Sequence, residues 1–263
     1  MNCFSLRCRV LLLSVVCLLC FPLFSQPANQ TPLVGTNDGL FKISGNSAIP
    51  VWTDAEVHKI IYSNQYYFLT SQGIFSSTDL IEFSPLNEGL PLHTLKTYDG
   101  STKSSVTIQK ELKDLSAHPQ KPEIIVTATR DSVYLSKDSG KNWKSLGLSA
   151  RTSGCKSVAA ADMPVYNSNG QITGYELVVF MSHPIYGLSY ILPDTASPKW
   201  IDIEKGFDTL PGNPYVDEIA DILPVLEKQD DGTIITKIYL SQTFIPRIYV
   251  LDWKNKQGQI IWR

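Results

Sequence analysis

Charge is scarce in this chain, and its sign is nearly balanced. Of 263 residues, 18% are Asp, Glu, Lys or Arg, and Lys+Arg 23 against Asp+Glu 25 leaves a formal net charge of -2. The pI near 6.1 lies well below the values above ~9 that mark a nucleic-acid footprint, so no nucleic-acid partner is expected. Long helical periodicity is missing too, which leaves a chain of short strands and turns. No H-E-x-x-H, Walker loop, nucleophile elbow or paired C-x-x-C occurs, so neither a metal nor another cofactor is expected. Apolar material, by contrast, is plentiful. Hydrophobic residues make up 43% and aromatics 10%, enough surface to offset the entropy of ordering and so to exclude disorder.

Cysteine is scarce once the first segment is set aside. Arg7 and Arg9 form a basic start, and Val10 to Phe24 is an apolar run broken only by Ser14 and Pro22. That run is shorter than the roughly 20 residues a spanning helix needs. Residues 1–25 therefore read as a secretory signal peptide with cleavage after Ser25, although Leu23 is large for that site. An uncleaved N-terminal anchor is the alternative. A lipoprotein signal is disfavoured by bulky Val16 and Leu19 before Cys17 and Cys20. Cys3, Cys8, Cys17 and Cys20 all leave with this segment, and Cys155 remains alone. No internal disulfide can form, so Cys155 is expected to be a buried or half-buried structural thiol. Loss of Arg7 and Arg9 moves the net charge from -2 to -4. The mature protein is expected to be exported (periplasmic, cell-surface or secreted), with no integral membrane segment after cleavage.

The rest of the chain repeats itself. Pro32 to Ile43 reads as strand, Gly-containing turn, strand, and the pattern recurs at Tyr67 to Ser76, Ile124 to Ser136, Leu177 to Tyr190 and Lys237 to Leu251. In the third copy Asp131 and Ser132 replace the glycine. Each copy is followed by an aromatic residue that starts or ends another strand: Trp52, Phe83, Trp143, Trp200 and Trp262. A further apolar strand precedes copies two to five, at Val57 to Tyr62, Leu112 to Ala117, Lys156 to Ala161 and Glu218 to Leu226. A repeating four-stranded unit is the signature of a β-propeller blade, because one small meander buries one face and a ring of them buries both. The fold class is therefore all-β, a β-propeller occupying 26–263 with about five blades, the ring incomplete or open. Asn169-Gly170 and Asp231-Gly232 are hairpin signals joining the first two strands of units four and five. An extra segment around Thr97 to Thr102 separates units two and three.

One turn carries a recognisable motif. Ser136, Asp138, Gly140 and Trp143 spell Ser-x-Asp-x-Gly-x-x-Trp between the third and fourth strands of unit three. Asp can bond its own backbone, Gly accepts a left-handed conformation, and Trp packs beneath. Ser77, Asp79 and Phe83 form a decayed copy, one residue short and without Gly. The pattern resembles the Asp-box, or bacterial neuraminidase repeat, of sialidase-like, sortilin-like and photosystem-assembly-factor-like propellers. That resemblance implies a structural role for the motif and brings no activity with it. A metal at Asp138 is disfavoured, since calcium loops need several oxygen ligands.

Catalytic constellations are wanting. The sialidase resemblance would imply three arginines holding a carboxylate, but only Arg130, Arg151, Arg247 and Arg263 remain, and Phe244 to Arg247 has the arginine motif in the wrong order. Glycoside hydrolysis needs two positioned carboxylates. Glu176, Asp217, Glu218 and Asp221 show no identifying spacing. His118 and His183 each precede proline at the end of a strand, where they read as turn residues, and His58 and His93 are isolated. The expected function is an exported non-catalytic binding or scaffold module for a protein or glycan in the cell envelope. Two alternatives stand: the propeller portion of a secreted glycoside hydrolase or cell-wall hydrolase whose catalytic domain lies outside this chain, and an envelope assembly factor. The first unit lacks its leading strand and no closing strand follows the fifth, which suggests the N-terminal part of a larger propeller.

Overall fold

A computed structural model of the chain describes residues 31–262 apart from 100–101, 152–153, 185 and 213–214. The expected signal peptide and Arg263 lie outside the described residues. Among the described residues every regular element is a β-strand, and every pairing is antiparallel. Sheet one contains β1 (Leu33–Thr36), β2 (Gly39–Ser44) and β3 (Ser47–Trp52); sheet two contains β4 (Val57–Tyr62), β5 (Tyr66–Thr70), β6 (Gly73–Ser77) and β7 (Ser84–Pro85). A separate hairpin, β8 (Leu92–Asp99) with β9 (Thr102–Gln109), follows. Sheet three is β10 (Asp114–Ala117), β11 (Ile125–Ala128), β12 (Val133–Ser136) and β13 (Lys144–Gly147). Sheet four is β14 (Val158–Tyr166), β15 (Ile172–Ser182), β16 (Leu188–Ile191) and β17 (Ile201–Ile203). Sheet five is β18 (Ile219–Lys228), β19 (Ile234–Gln242), β20 (Ile248–Asp252) and β21 (Gln257–Trp262).

Local chemistry sets the repeating meander. In three sheets a threonine at or just past the end of β1, β5 or β11 closes the turn to the next strand with its hydroxyl. Thr36, Thr70 and Thr129 accept from the N–H of Asp38, Gln72 and Asp131, and donate to the carbonyls of Gly39, Gly73 and Ser132. This hydroxyl explains how unit three forms the turn without glycine: Ser132 N–H also bonds Thr129 Oγ1. The two predicted hairpins are present, with Gly170 and Gly232 at φ 77 and 86 between β14 and β15 and between β18 and β19. The extra segment around Thr97 proves to be the tip of β8–β9, two strands that the sequence reading did not separate.

Four apolar clusters join consecutive sheets. Leu40, Val57 and Phe68 bind sheet one to two; Tyr67, Leu115, Ile125 and Trp143 bind two to three. Val126, Val133, Val158 and Val179 bind three to four, and Phe180, Leu188, Ile222, Ile238 and Tyr249 bind four to five. Strands β4, β10, β14 and β18 lie side by side along one axis. Among the described residues no apolar cluster joins sheets five and one. The four predicted leading strands appear at these positions, with β10 and β14 starting two residues later than expected.

The repeated aromatics fare unequally. Trp143 and Trp200 precede β13 and β17, and each indole N–H reaches back to the preceding sheet, to Leu86 O at 2.8 Å and Leu146 O at 3.0 Å. Phe83 lies just before β7 and stacks on Trp52 at 4.7 Å and 11°. Trp262 ends β21 but is 56% exposed. The indole between sheets four and five is that of Trp253, buried, donating to Pro164 O at 3.0 Å and set edge-on to Phe180 and Tyr190. The cause is the short β20–β21 turn. It places the indole at the turn itself instead of before the last strand.

Candidate functional site

The turn from Ser136 to Trp143 is built as its residue types require. Ser136 Oγ donates to Asp138 Oδ1 at 2.7 Å and accepts from Gly140 N at 2.8 Å. Asp138 accepts from Asn142 N at 2.9 Å and from Asn142 Nδ2 at 2.7 Å. The Asn142 amide is the main reason that the Asp138 carboxyl is held below the ordinary range. Ser139 and Gly140 are both left-handed, at φ 61 and 86. A Cβ on Gly140 would meet Leu86 at 2.9 Å and Ile125 at 3.0 Å, so glycine is also needed for space. All of the carboxylate's bonds in this turn go to its own loop. An open cavity of about 390 Å³ borders Asp138, Asn142 and Trp143 on one side and Pro193 and Asp194 on the other. Lys137 and Asp194 form an ion pair there.

The decayed copy keeps the wiring with one residue fewer. Leu80 N bonds Ser77 Oγ, and Ile81 and Glu82 N–H bond Asp79 Oδ1 at 2.8 and 3.1 Å. These backbone N–H groups hold the Asp79 carboxyl below its usual range. A single left-handed residue, Leu80 at φ 63, replaces the pair in the full motif.

The axial end holds the main polar assembly, which the sequence did not reveal. Lys59 on β4 donates to Asp114 Oδ1 on β10 at 2.6 Å. Asp114 Oδ2 accepts from Ser157 Oγ at 2.7 Å and Val158 N at 2.9 Å, at the start of β14. Ser157 Oγ also lies 3.1 Å from Asp221 Oδ1 on β18. One chain of contacts thus crosses four sheets, with a single hydroxyl between two carboxylates. Above it opens a cavity of about 430 Å³, lined among others by Lys113, Cys155, Lys156, Glu218 and Asp221. Lys156 and Glu218 form an ion pair, and Thr243 Oγ1 donates to Glu218 at 2.9 Å. The strand order puts the β8–β9 hairpin at this same end, whereas the β14–β15 and β18–β19 turns point to the other.

Cys155 is buried, and burial raises its thiol pKa, so it is not a thiolate. The four carboxylates singled out from sequence are dispersed in role. Asp217 is fully buried and accepts from the N–H of Phe244 and Ile245. Glu218 and Asp221 share the axial cavity, and Glu176 sits on β15 opposite Met163. Arg151 pairs with Glu204, and Arg247 with Asp208 at 3.0 Å.

His118 and His183, expected as turn residues before their prolines, are buried core groups, because their rings turn inward against neighbouring polar side chains. His118 is buried, and its Nδ1 accepts from Gln120 and Lys121 N–H, both at 3.1 Å. The ring proton therefore sits on Nε2, 3.3 Å from Asp162 Oδ1 of the next sheet. His183 is also fully buried, and its Nε2 meets Ser189 Oγ, which bonds Asp202. Ser, His and Asp meet here in an order unlike a nucleophilic triad: the carboxylate touches Ser, while His183 Nδ1 has no partner. Burial pushes the His183 pKa down to about 4. Lys256 was missed entirely by sequence; its ammonium lies 2.9 Å above the Trp253 ring, and burial lowers its pKa to about 8.

The fold and this end of it define an all-β, propeller-like protein whose polar groups converge on an axis. No protein-family profile and no curated protein matches the chain. Among solved structures, the chain resembles the extracellular domain of BT4673, described as a one-component system of B. thetaiotaomicron, at TM-score 0.51 and 9% identity over 89% of this chain and 26% of that one. Weaker likenesses are to YCF48 bound to D1 peptide (TM-score 0.39, 13% identity, 86% of this chain and 62% of that one) and to an ancestral GH74 enzyme (0.39, 14%, 89% and 36%). These neighbours are β-propeller-like. The chain spans about a quarter of the BT4673 structure's length. No helix among the described residues is long and apolar enough to cross a membrane.

Proposed function

We propose that residues 26–263 form an exported, non-catalytic propeller module that binds a protein or glycan ligand of the cell envelope through the axial cavity between β10, β14 and β18. The observation that carries this reading is the state of the groups there. Glu218 and Asp114 are paired with lysines, Asp221 accepts the Ile222 N–H and lies 3.1 Å from Ser157 Oγ, and the thiol is buried. Such a surface offers fixed acceptors and ammonium donors to hydroxyls, amides or charged termini, and it supplies no activated nucleophile. The Asp-box contributes scaffold stiffness, since its polar atoms are spent within the turn. The test is a fluorogenic glycoside panel incubated with the purified protein. No release is expected from any member; steady release by the wild type that Asp221→Ala abolishes would overturn the reading.

A further inference from the structure

Sheet five has one covered face and one open face. Successive side chains of a strand alternate between faces, and the pairing register carries that alternation across all four strands. Ile222, Ile238, Leu240, Tyr249 and Leu251 point to sheet four and are buried. Leu223, Tyr239 and Val250, opposed in one row, point the other way, as do Ser241, Ile248 and Trp262 in the next row. Leu223 and Trp262 are each 56% exposed. In sheets one to four the corresponding face is covered by the following sheet, whereas among the described residues no apolar cluster forms on this one.

The size and charge of the face select its occupant. Strands of ten, nine, five and six residues make up the sheet. At about 3.4 Å per residue and about 4.8 Å between strands they give a patch of about 500 Å². Two such patches in contact remove about 1,000 Å², the threshold for a specific interface. The charges on the face are complementary under a two-fold rotation. Two residues on from the Tyr239–Val250 pair, Lys237 on β19 and Asp252 on β20 occupy the following row of the same face. Lys237 also pairs with Glu227 at 2.6 Å, and Asp252 accepts from Asn255 Nδ2 at 2.7 Å and Gln259 Nε2 at 3.1 Å. A two-fold axis along the strands, between β19 and β20, exchanges those two strands. It sets Tyr239 against Val250 of a second copy and Lys237 against its Asp252, each contact made twice. Aligned strands are an ordinary arrangement for two sheets packed face to face.

We propose that the protein forms a two-fold dimer through the open face of sheet five, with Lys237 of each copy paired to Asp252 of the other. Neither residue lines the axial cavity, so the failure of one proposal leaves the other standing. The test is sedimentation velocity of the purified protein from micromolar to submillimolar concentration, where a monomer–dimer equilibrium is expected. Lys237→Glu and Asp252→Lys each bring like charges together twice and are expected to weaken the dimer at least about tenfold. An equimolar mixture of the two variants recovers it, because each copy then meets the opposite charge at both contacts. Val250→Asp, whose side chain forms none of the hydrogen bonds around Asp252, is expected to weaken the dimer as well. Leu95→Asp, on the exposed β8–β9 hairpin, leaves it unchanged. A monomer throughout the range, or growth beyond the dimer into open-ended chains, would overturn the proposal. So would a dimer that Val250→Asp leaves intact, or mixed variants that associate no more tightly than each alone.

Discussion

Acidification from pH 7 to pH 4.5 is expected to cost this protein stability chiefly through one buried histidine, His183. His183 is fully buried, its Nε2 is committed to Ser189, and its Nδ1 has no partner. Protonation would bury a charge that Asp202 Oδ1, 3.9 Å from Nε2, compensates only in part, so burial lowers the pKa from 6.5 to about 4. The unfolded chain then binds more protons than the native one between those values, and stability falls as pH falls. Across the full window the loss is about 3 kcal/mol, at up to about 1.4 kcal/mol per pH unit. His118 is lowered by burial as well and acts with the same sign. The depressed carboxylates act with the same sign at lower pH: Asp79, Asp131, Asp138, Asp231 and Asp252 start from an ordinary value of 3.8 and Glu227 from 4.5, and they withdraw their contribution progressively as pH falls toward and through those values, so the wild-type and His183→Gln comparison is what separates the histidine from them. Lys256, lowered to about 8, acts in the alkaline range, where stability rises with pH. Urea unfolding of the wild type and His183→Gln at half-unit steps from pH 7 to 4.5 isolates the effect. The variant's stability should vary less steeply with pH. Parallel curves for the two proteins would refute the assignment of this loss to His183.

Other perturbations follow from the same geometry. Trp143→Ala removes a buried indole and its bond to Leu86 O, and should destabilise by about 3–5 kcal/mol in urea titration. Ser139→Gly relieves a left-handed residue at φ 61; a gain of up to about 1 kcal/mol is expected in thermal melts, and a loss would mean that the side chain has a role the turn does not show. Asp114→Ala leaves Lys59 and Ser157 without their buried acceptor, and calorimetry should register a loss of about 3–5 kcal/mol.

Strand periodicity and turn chemistry were legible in the sequence because they are local. The glycine-containing turns, the Asn169-Gly170 hairpin and the Ser136 to Trp143 motif each fix their backbone through atoms a few residues apart. The Trp253 position was not legible. Both Trp253 and Trp262 fit a count of aromatics, and only the length of the β20–β21 turn decides which indole reaches sheet four. The axial assembly was invisible for another reason. Lys59, Asp114, Ser157 and Asp221 are far apart in the chain, with no characteristic spacing, and meet only because four first strands share an axis. Ser157 could have drawn notice as a polar residue next to the expected strand from Lys156 to Ala161, but a pattern of alternation cannot say what faces it.

The most direct test of a binding role for the axial end is capture on glycan and peptide arrays, with the bound ligand eluted and weighed by mass spectrometry. Wild type and a Lys156→Ala/Asp221→Ala variant would be compared after circular dichroism shows that both are folded. The account predicts a ligand retained by the wild type, lost by the variant and recovered chemically unchanged. Equal retention by the folded variant, or a ligand recovered cleaved, would contradict it.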